Sequence, residues 1–226
     1  MKNKLNLNWF DWFLVLGVVA TSLVTSYIKE EWDTIGFIVA LFGIINLVLC
    51  AKGNILNYAF GIIYNALYVY VSFHNDLYAD AATYLFYYLP MQFVGWAQWK
   101  KNQNADTGTV KARHLNLRQA LIIIAILAVT IPALGYILSL PAIHDAQPYK
   151  DAATTVASFM AMFLMVKAFA EQWYIWLTLD VIQCVKWSVA TAQGQEHAYM
   201  MLIMFAFYTA NALYGFLKWQ KLAKQS

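Results

Sequence analysis

Apolar residues come in long runs broken by short polar segments, and the runs are longer than a soluble core needs. Crossing about 30 Å of hydrocarbon takes roughly 20 apolar residues in a helix. Stretches of that length occur at about 9–28, 33–51, 54–73, 77–97, 118–140, 152–170, 173–192 and 198–217. The pattern predicts an all-α integral membrane protein with about eight transmembrane helices. Lys2 and Lys4 ahead of the first run look like the start of a signal peptide. However, Asp11 interrupts the run early and no small-residue cleavage site follows, so a retained helix is expected.

Polar residues inside the runs are not scattered. Trp173, Trp176, Asp180, Gln183 and Trp187 fall within an arc of about 80° at 100° per residue. Asn54, Asn57, Gly61, Asn65 and Tyr68 fill a similar arc of about 80° in the third run. An acid near mid-membrane costs about 2.5–3.5 kcal/mol on insertion scales, so Asp180 is expected to face protein or water. Indoles stack on a flat ring, a carboxyl group and an amide bind hydroxyls, and Gly61 leaves room for a ligand. Gln92, Asn211 and Asn46 are further amides within spans, and amides match a carboxamide in either orientation. Each residue also has a plainer reading. Trp173 suits an interfacial belt, Asn54 suits a helix cap, and buried amides bond to neighbouring helices.

The chain repeats itself. Gly95-Trp96-Ala97-Gln98-Trp99-Lys100-Lys101 aligns with Gly215-Phe216-Leu217-Lys218-Trp219-Gln220-Lys221, and Tyr88 with Tyr208, at a shift of 120 residues. The polar loops Asn75-Asp76 and Gln195-Glu196 correspond as well. A shift of 119 pairs Gln92 with Asn211, and Trp173, Trp176, Asp180 and Trp187 with Asn54, Asn57, Gly61 and Tyr68. This gives two three-helix blocks, 33–99 and 151–219. Segment 100–150 between them holds a basic loop and a linking helix, 1–32 an extra helix, and 220–226 a tail. The linking span makes the blocks parallel, a known transporter plan with its site near the midplane. Pro90 and Pro132 are candidate flexible points, and Pro132 is expected to kink its helix. Ala153, Ala157 and Ala161 make a small-residue stripe for close packing.

Composition supports a membrane chain: 62% of the 226 residues are hydrophobic and 12% are charged. The net charge of +3 matters through its distribution. Putting both termini and segment 100–118 in the cytoplasm places twelve of fifteen basic residues inside; Lys29 and Lys150 fall outside and Lys186 within a span. Acids such as Glu30, Glu31, Asp33, Asp76, Asp80, Asp145, Asp151 and Glu196 tend to the other side. No basic patch suits nucleic acid. Cys50 and Cys184 lie in apolar stretches and read as small hydrophobes. His74, His114, His144 and His197 read as solvated loop histidines. No phosphate loop, metal set or nucleophile–base pair is visible, so an enzyme and direct ATP coupling are not expected.

The chain resembles the nicotinamide riboside transporter family, PnuC, from about residue 33 to 219. The resemblance rests on the 3+1+3 plan, on Trp173-x-x-Trp176 followed by Asp180 and Gln183, and on the helix ends Gly95-Trp96…Trp99 and Gly215…Trp219. It implies uptake of nicotinamide riboside across a bacterial inner membrane by facilitated diffusion, without a cofactor. A cytoplasmic nicotinamide riboside kinase would then trap the solute. The implied binding residues are Trp173, Trp176, Asp180, Gln183, Gln92, Asn211, Asn46, Asn57, Asn65, Tyr68 and Tyr88. The 3+1+3 plan is shared with SWEET sugar carriers, so a sugar or another nucleoside is the alternative. A homo-oligomer is left open, and the first span has no expected transport role.

Overall fold

The computed structural model describes residues 7–30, 34–74, 78–105, 107–141, 143, 147–193 and 198–224. Lys2, Lys4, Glu31, Asp33, Asn75-Asp76, His144, Asp145, Gln195-Glu196 and His197 lie outside the described residues. The fold is all-helical. Its elements are α1 (Trp9–Lys29), α2 (Thr34–Ala51), α3 (Leu56–His74), α4 (Tyr78–Thr83), a π-helical turn (Tyr84–Tyr88), α5 (Leu89–Lys101), α6 (Leu117–Leu138), α7 (Pro148–Val166), α8 (Gln172–Ala192) and α9 (Ala198–Lys224).

Local chemistry sets several ends. Asn8 caps α1 and Asn116 caps α6, each in a reciprocal capping box, with Asp11 and Gln119 respectively. Thr83, Tyr88 and Leu89 are all right-handed helical, so α4, the π-turn and α5 run on as one span. Pro90 follows the π-turn after a single residue, Leu89. A proline in a regular helix clashes with the carbonyl four residues back, and a wider turn on its N-terminal side relieves that clash.

Trp9–Ile28, Thr34–Ala51 and Leu117–Leu138 are long and apolar enough to cross a membrane on composition alone. The long helices α3, α8 and α9 are less apolar in part because they carry buried polar residues, Asn57, Asn65 and Ser72 on α3, Gln172 on α8 and Asn211 on α9. α2, α3 and the α4–π–α5 span pack as one bundle, and α7, α8 and α9 as another. The bundles meet where α2 packs on α9 and where α5 packs on α7. α6 lies against α7, whereas α1 covers the seam between α2 and α9.

The two bundles are built alike at one end. Gly53 N donates to Cys50 O at 2.9 Å and Asn54 N to Leu49 O at 3.0 Å; Ala168 N donates to Met165 O and Phe169 N to Leu164 O, both at 2.9 Å. Gly53 (φ 63°) and Ala168 (φ 58°) are both left-handed. The first and middle helices therefore correspond at a shift of 115 residues, not the 119 read from sequence, while the third helices keep 120. At 115, Asn57, Gly61, Asn65, Tyr68 and Ser72 pair with Gln172, Trp176, Asp180, Gln183 and Trp187.

The segment after α5 crosses beneath both turns. Val110 N donates to Gly53 O at 2.9 Å, Arg113 N to Ala168 O at 3.0 Å, and Ala170 N to Arg113 O at 2.9 Å. Arg113 also lies over the Phe169 ring, 4.3 Å from its centroid. Lys52, Lys100, Lys101, Lys111, Arg113, Arg118, Lys167, Lys218, Lys221 and Lys224 all belong to helix ends and loops on this side, the basic end.

Candidate functional site

Above the basic end, a layer of aromatic residues closes the molecule. Tyr58 and Trp173 occupy equivalent places at the starts of α3 and α8, and both are buried. A Cβ on Gly95 would strike the Tyr58 ring, and one on Gly215 the Trp173 ring, so each glycine lets a ring lie flat against the third helix. Trp99 Nε1 donates to Met165 O and Trp219 Nε1 to Cys50 O, both at 3.0 Å, so each bundle binds the other's backbone. Trp173 sits in this packed layer, 6.1 Å from Trp219 between centroids, with the candidates Trp176 and Tyr88 packed against its edge.

The next layer is made of amides. Asn46 on α2 donates to Asn57 O on α3 at 2.7 Å, and Asn57 Nδ2 donates to Asn54 O at 2.7 Å. A Cβ on Gly61 would overlap Gln92 Oε1 and Asn46 Nδ2. The room at Gly61 that sequence assigned to a ligand is thus held by protein amides, because α5 approaches α3 closely there. Asn211 reaches across from α9 to donate to Leu47 O at 3.4 Å. The Asn57, Gln92 and Asn211 side chains are buried, and the amide oxygens Asn57 Oδ1, Gln92 Oε1 and Asn211 Oδ1 have no hydrogen-bond partner. Asn65 is turned back on its own helix, donating to Gly61 O at 2.6 Å.

On α8, Trp176, Asp180 and Gln183 are all half-buried. Trp176 packs on the aromatic layer, and Asp180 lies near the Tyr208 phenol of α9. Tyr68 stacks on Tyr84, and Tyr88 interacts with Ser158 of α7. Lys186 lies over the Trp187 ring, 5.1 Å from its centroid.

Sequence reasoning missed several residues. Gln172 is fully buried, neither polar atom of its amide has a partner, and it is the counterpart of Asn57. The 115-residue shift would have shown it. Tyr64, Tyr84 and Tyr208 join Tyr68 and Tyr88; the signal was the tyrosine-rich run Tyr84-Leu85-Phe86-Tyr87-Tyr88. His114 is exposed, as expected of a solvated histidine, and also pairs with Glu171 at 2.9 Å.

Fold and interior together define the class: a multi-pass helical membrane protein with a polar layer between two bundles. The family described as nicotinamide mononucleotide transporter matches residues 33–221. The nicotinamide riboside transporter PnuC of Neisseria mucosa is 35% identical over 219 residues, covering 95% of this chain and 81% of that protein. The nicotinamide riboside transporter PnuC of Haemophilus influenzae is 31% identical over 216 residues, covering 95% and 90%. The crystal structure of the vitamin B3 transporter PnuC matches with a TM-score of 0.78 at 32% identity, covering 97% of this chain and 94% of that one. The chain belongs to this transporter family, PnuC, and is not an enzyme. α1 lies outside the family match.

Proposed function

We propose that the chain takes up nicotinamide riboside across a bacterial inner membrane, with its basic end in the cytoplasm. The observation that supports this is the layer of unpartnered amide oxygens of Asn57, Gln92 and Asn211; Trp176, Asp180 and Gln183 of α8 supply the second wall of the proposed site. Hydroxyl and carboxamide donors satisfy those oxygens, and an indole stacks on the pyridine ring. Asn46 and Asn65 complete the lining, Tyr68 and Tyr88 stand on the way into it, and Trp173 supports its floor.

A riboside fits this lining better than a mononucleotide. Asp180 repels a phosphate, and none of the lining residues named is a lysine or arginine. The quaternary pyridinium of the riboside, in contrast, is attracted by a carboxylate and by aromatic faces. Transport is facilitated diffusion: the blocks 33–99 and 151–219 rock about the solute, and a cytoplasmic kinase traps it.

Calorimetry on the purified, detergent-solubilised chain tests this. Nicotinamide riboside is expected to bind, and nicotinamide, nicotinamide mononucleotide, uridine and glucose to bind at least about tenfold more weakly, a difference of about 1.4 kcal/mol. Binding is expected to disappear in Asp180→Ala and Trp176→Ala. A preference for glucose or uridine would instead favour the sugar or general nucleoside reading.

A further inference from the structure

A row of phenol rings leads from the amide layer toward the end opposite the basic loop. Tyr64 and Tyr68 come from α3, Tyr84 and Tyr88 from the π-turn, and Tyr208 from α9. Tyr68 and Tyr84 stack with centroids 4.1 Å apart and planes 29° apart. Tyr84 and Tyr88 lie 4.9 Å apart, and Tyr64 and Tyr84 6.2 Å. Tyr208 brings the second bundle to the row, close to Tyr64, Tyr68 and Tyr84. A carboxyl group stands at each end. Exposed Asp80 lies near Tyr68 and Tyr88, and Asp180 lies near Tyr208.

Ordinary packing does not call for this composition. Aliphatic side chains would fill the same seam, and the hydroxyls only tie neighbours together, as Tyr64 to Tyr84 and Tyr88 to Ser158. What tyrosine faces and flanking carboxyl groups share is negative potential toward a cation. π-turns in otherwise regular helices are frequent at functional sites, and this one supplies two rings of the row.

We infer that Tyr64, Tyr68, Tyr84, Tyr88 and Tyr208 form an access subsite for flat aromatic cations, separate from the amide layer. It rests on the reading that the solute is a pyridine riboside. The ring is held by its positive charge between Asp80 and Asp180 before the ribose reaches Asn57 and Gln92.

Uptake of nicotinamide riboside into proteoliposomes, compared with uptake of its neutral dihydropyridine form, isolates ring charge, since both carry the same ribose and carboxamide. The wild-type chain is expected to prefer the cation by about tenfold in kcat/KM. Tyr68→Leu and Tyr84→Leu are expected to raise KM for the cation about tenfold and KM for the neutral form by less than about threefold, so that the preference falls. Tyr68→Phe and Tyr84→Phe keep the aromatic face and are expected to keep the preference. Asp80→Asn, at the exposed mouth, is expected to lower the preference about threefold at low salt and not at high salt. An undiminished preference in both leucine variants or in Asp80→Asn overturns the inference, as does a loss in the phenylalanine variants equal to that in the leucine variants. A wild-type chain that carries the neutral form equally well overturns the subsite while leaving the riboside reading intact. Uptake of neither form overturns the riboside reading and the subsite together.

Discussion

Asp11 and Lys52 form an ion pair of 2.6 Å that fastens α1 to the turn after α2, with side chains 1% and 14% exposed. Asn8 adds a 2.9 Å bond to the Tyr214 hydroxyl, so α1 is tied to one helix of each bundle. Removing one member of a buried pair leaves a charge without its compensation and costs about 3–5 kcal/mol. Asp11→Asn and Lys52→Met are each expected to lower stability by that order in thermal unfolding of the solubilised chain. The joint change Asp11→Leu with Lys52→Met is expected to recover most of the loss.

Two glycines on facing helices separate stability from transport. At Gly95 an added methyl meets the ring of buried Tyr58, which has nowhere to move. Gly95→Ala is expected to cost about 1–3 kcal/mol in unfolding experiments. At Gly61 the methyl meets the ends of the Gln92 and Asn46 side chains, which can shift where a packed ring cannot. Gly61→Ala is expected to unfold within about 1 kcal/mol of wild type and to take up riboside about tenfold less well, a transport loss worth about 1.4 kcal/mol.

The reciprocal indoles are expected to act together. Met165 O also accepts from Ala168 N and Cys50 O from Gly53 N, so neither carbonyl is orphaned when its indole is lost. Trp99→Phe and Trp219→Phe each remove a bond worth about 1 kcal/mol, plus some ring contact. The two rings lie 5.5 Å apart, so their losses are not independent. A double-mutant cycle is expected to give a coupling energy of about 0.5–3 kcal/mol.

The left-handed turns allow a further test. Gly53 takes φ 63° without strain, and a methyl there would press on Leu222 and Val110. Gly53→Ala is expected to destabilise by about 1–2 kcal/mol. Ala168→Gly releases a similar strain at φ 58° but adds chain entropy to the unfolded state, so a net change under about 1 kcal/mol is expected in the same melt.

The helices, their order and the inward stripes were legible because membrane burial writes strong periodicity. Asn57, Gly61 and Asn65 are buried as their spacing predicted. The register between the middle helices was not legible. Shifts of 115 and 119 differ by four residues, about 40° on a helical wheel, so both superpose the same faces. Only the matched turns at Gly53 and Ala168 separate them. The π-turn was hidden for a related reason: its tyrosines read equally well on a regular helix. The clamp that Val110 and Arg113 make beneath both turns rests on backbone hydrogen bonds, which leave little trace in side-chain pattern.

Because Trp99 binds the second bundle's backbone as Trp219 binds the first's, the contact between the halves is isologous, the kind a two-fold homodimer makes. In evolutionary terms the chain has the geometry of a self-pairing half-length ancestor whose copies were joined by α6. Once joined, the copies were free to diverge. Asn65 where the second half has Asp180, and Gly61 where it has Trp176, mark where they did, and in the proposed site that divergence fixes a single orientation for an asymmetric guest inside a nearly symmetric host.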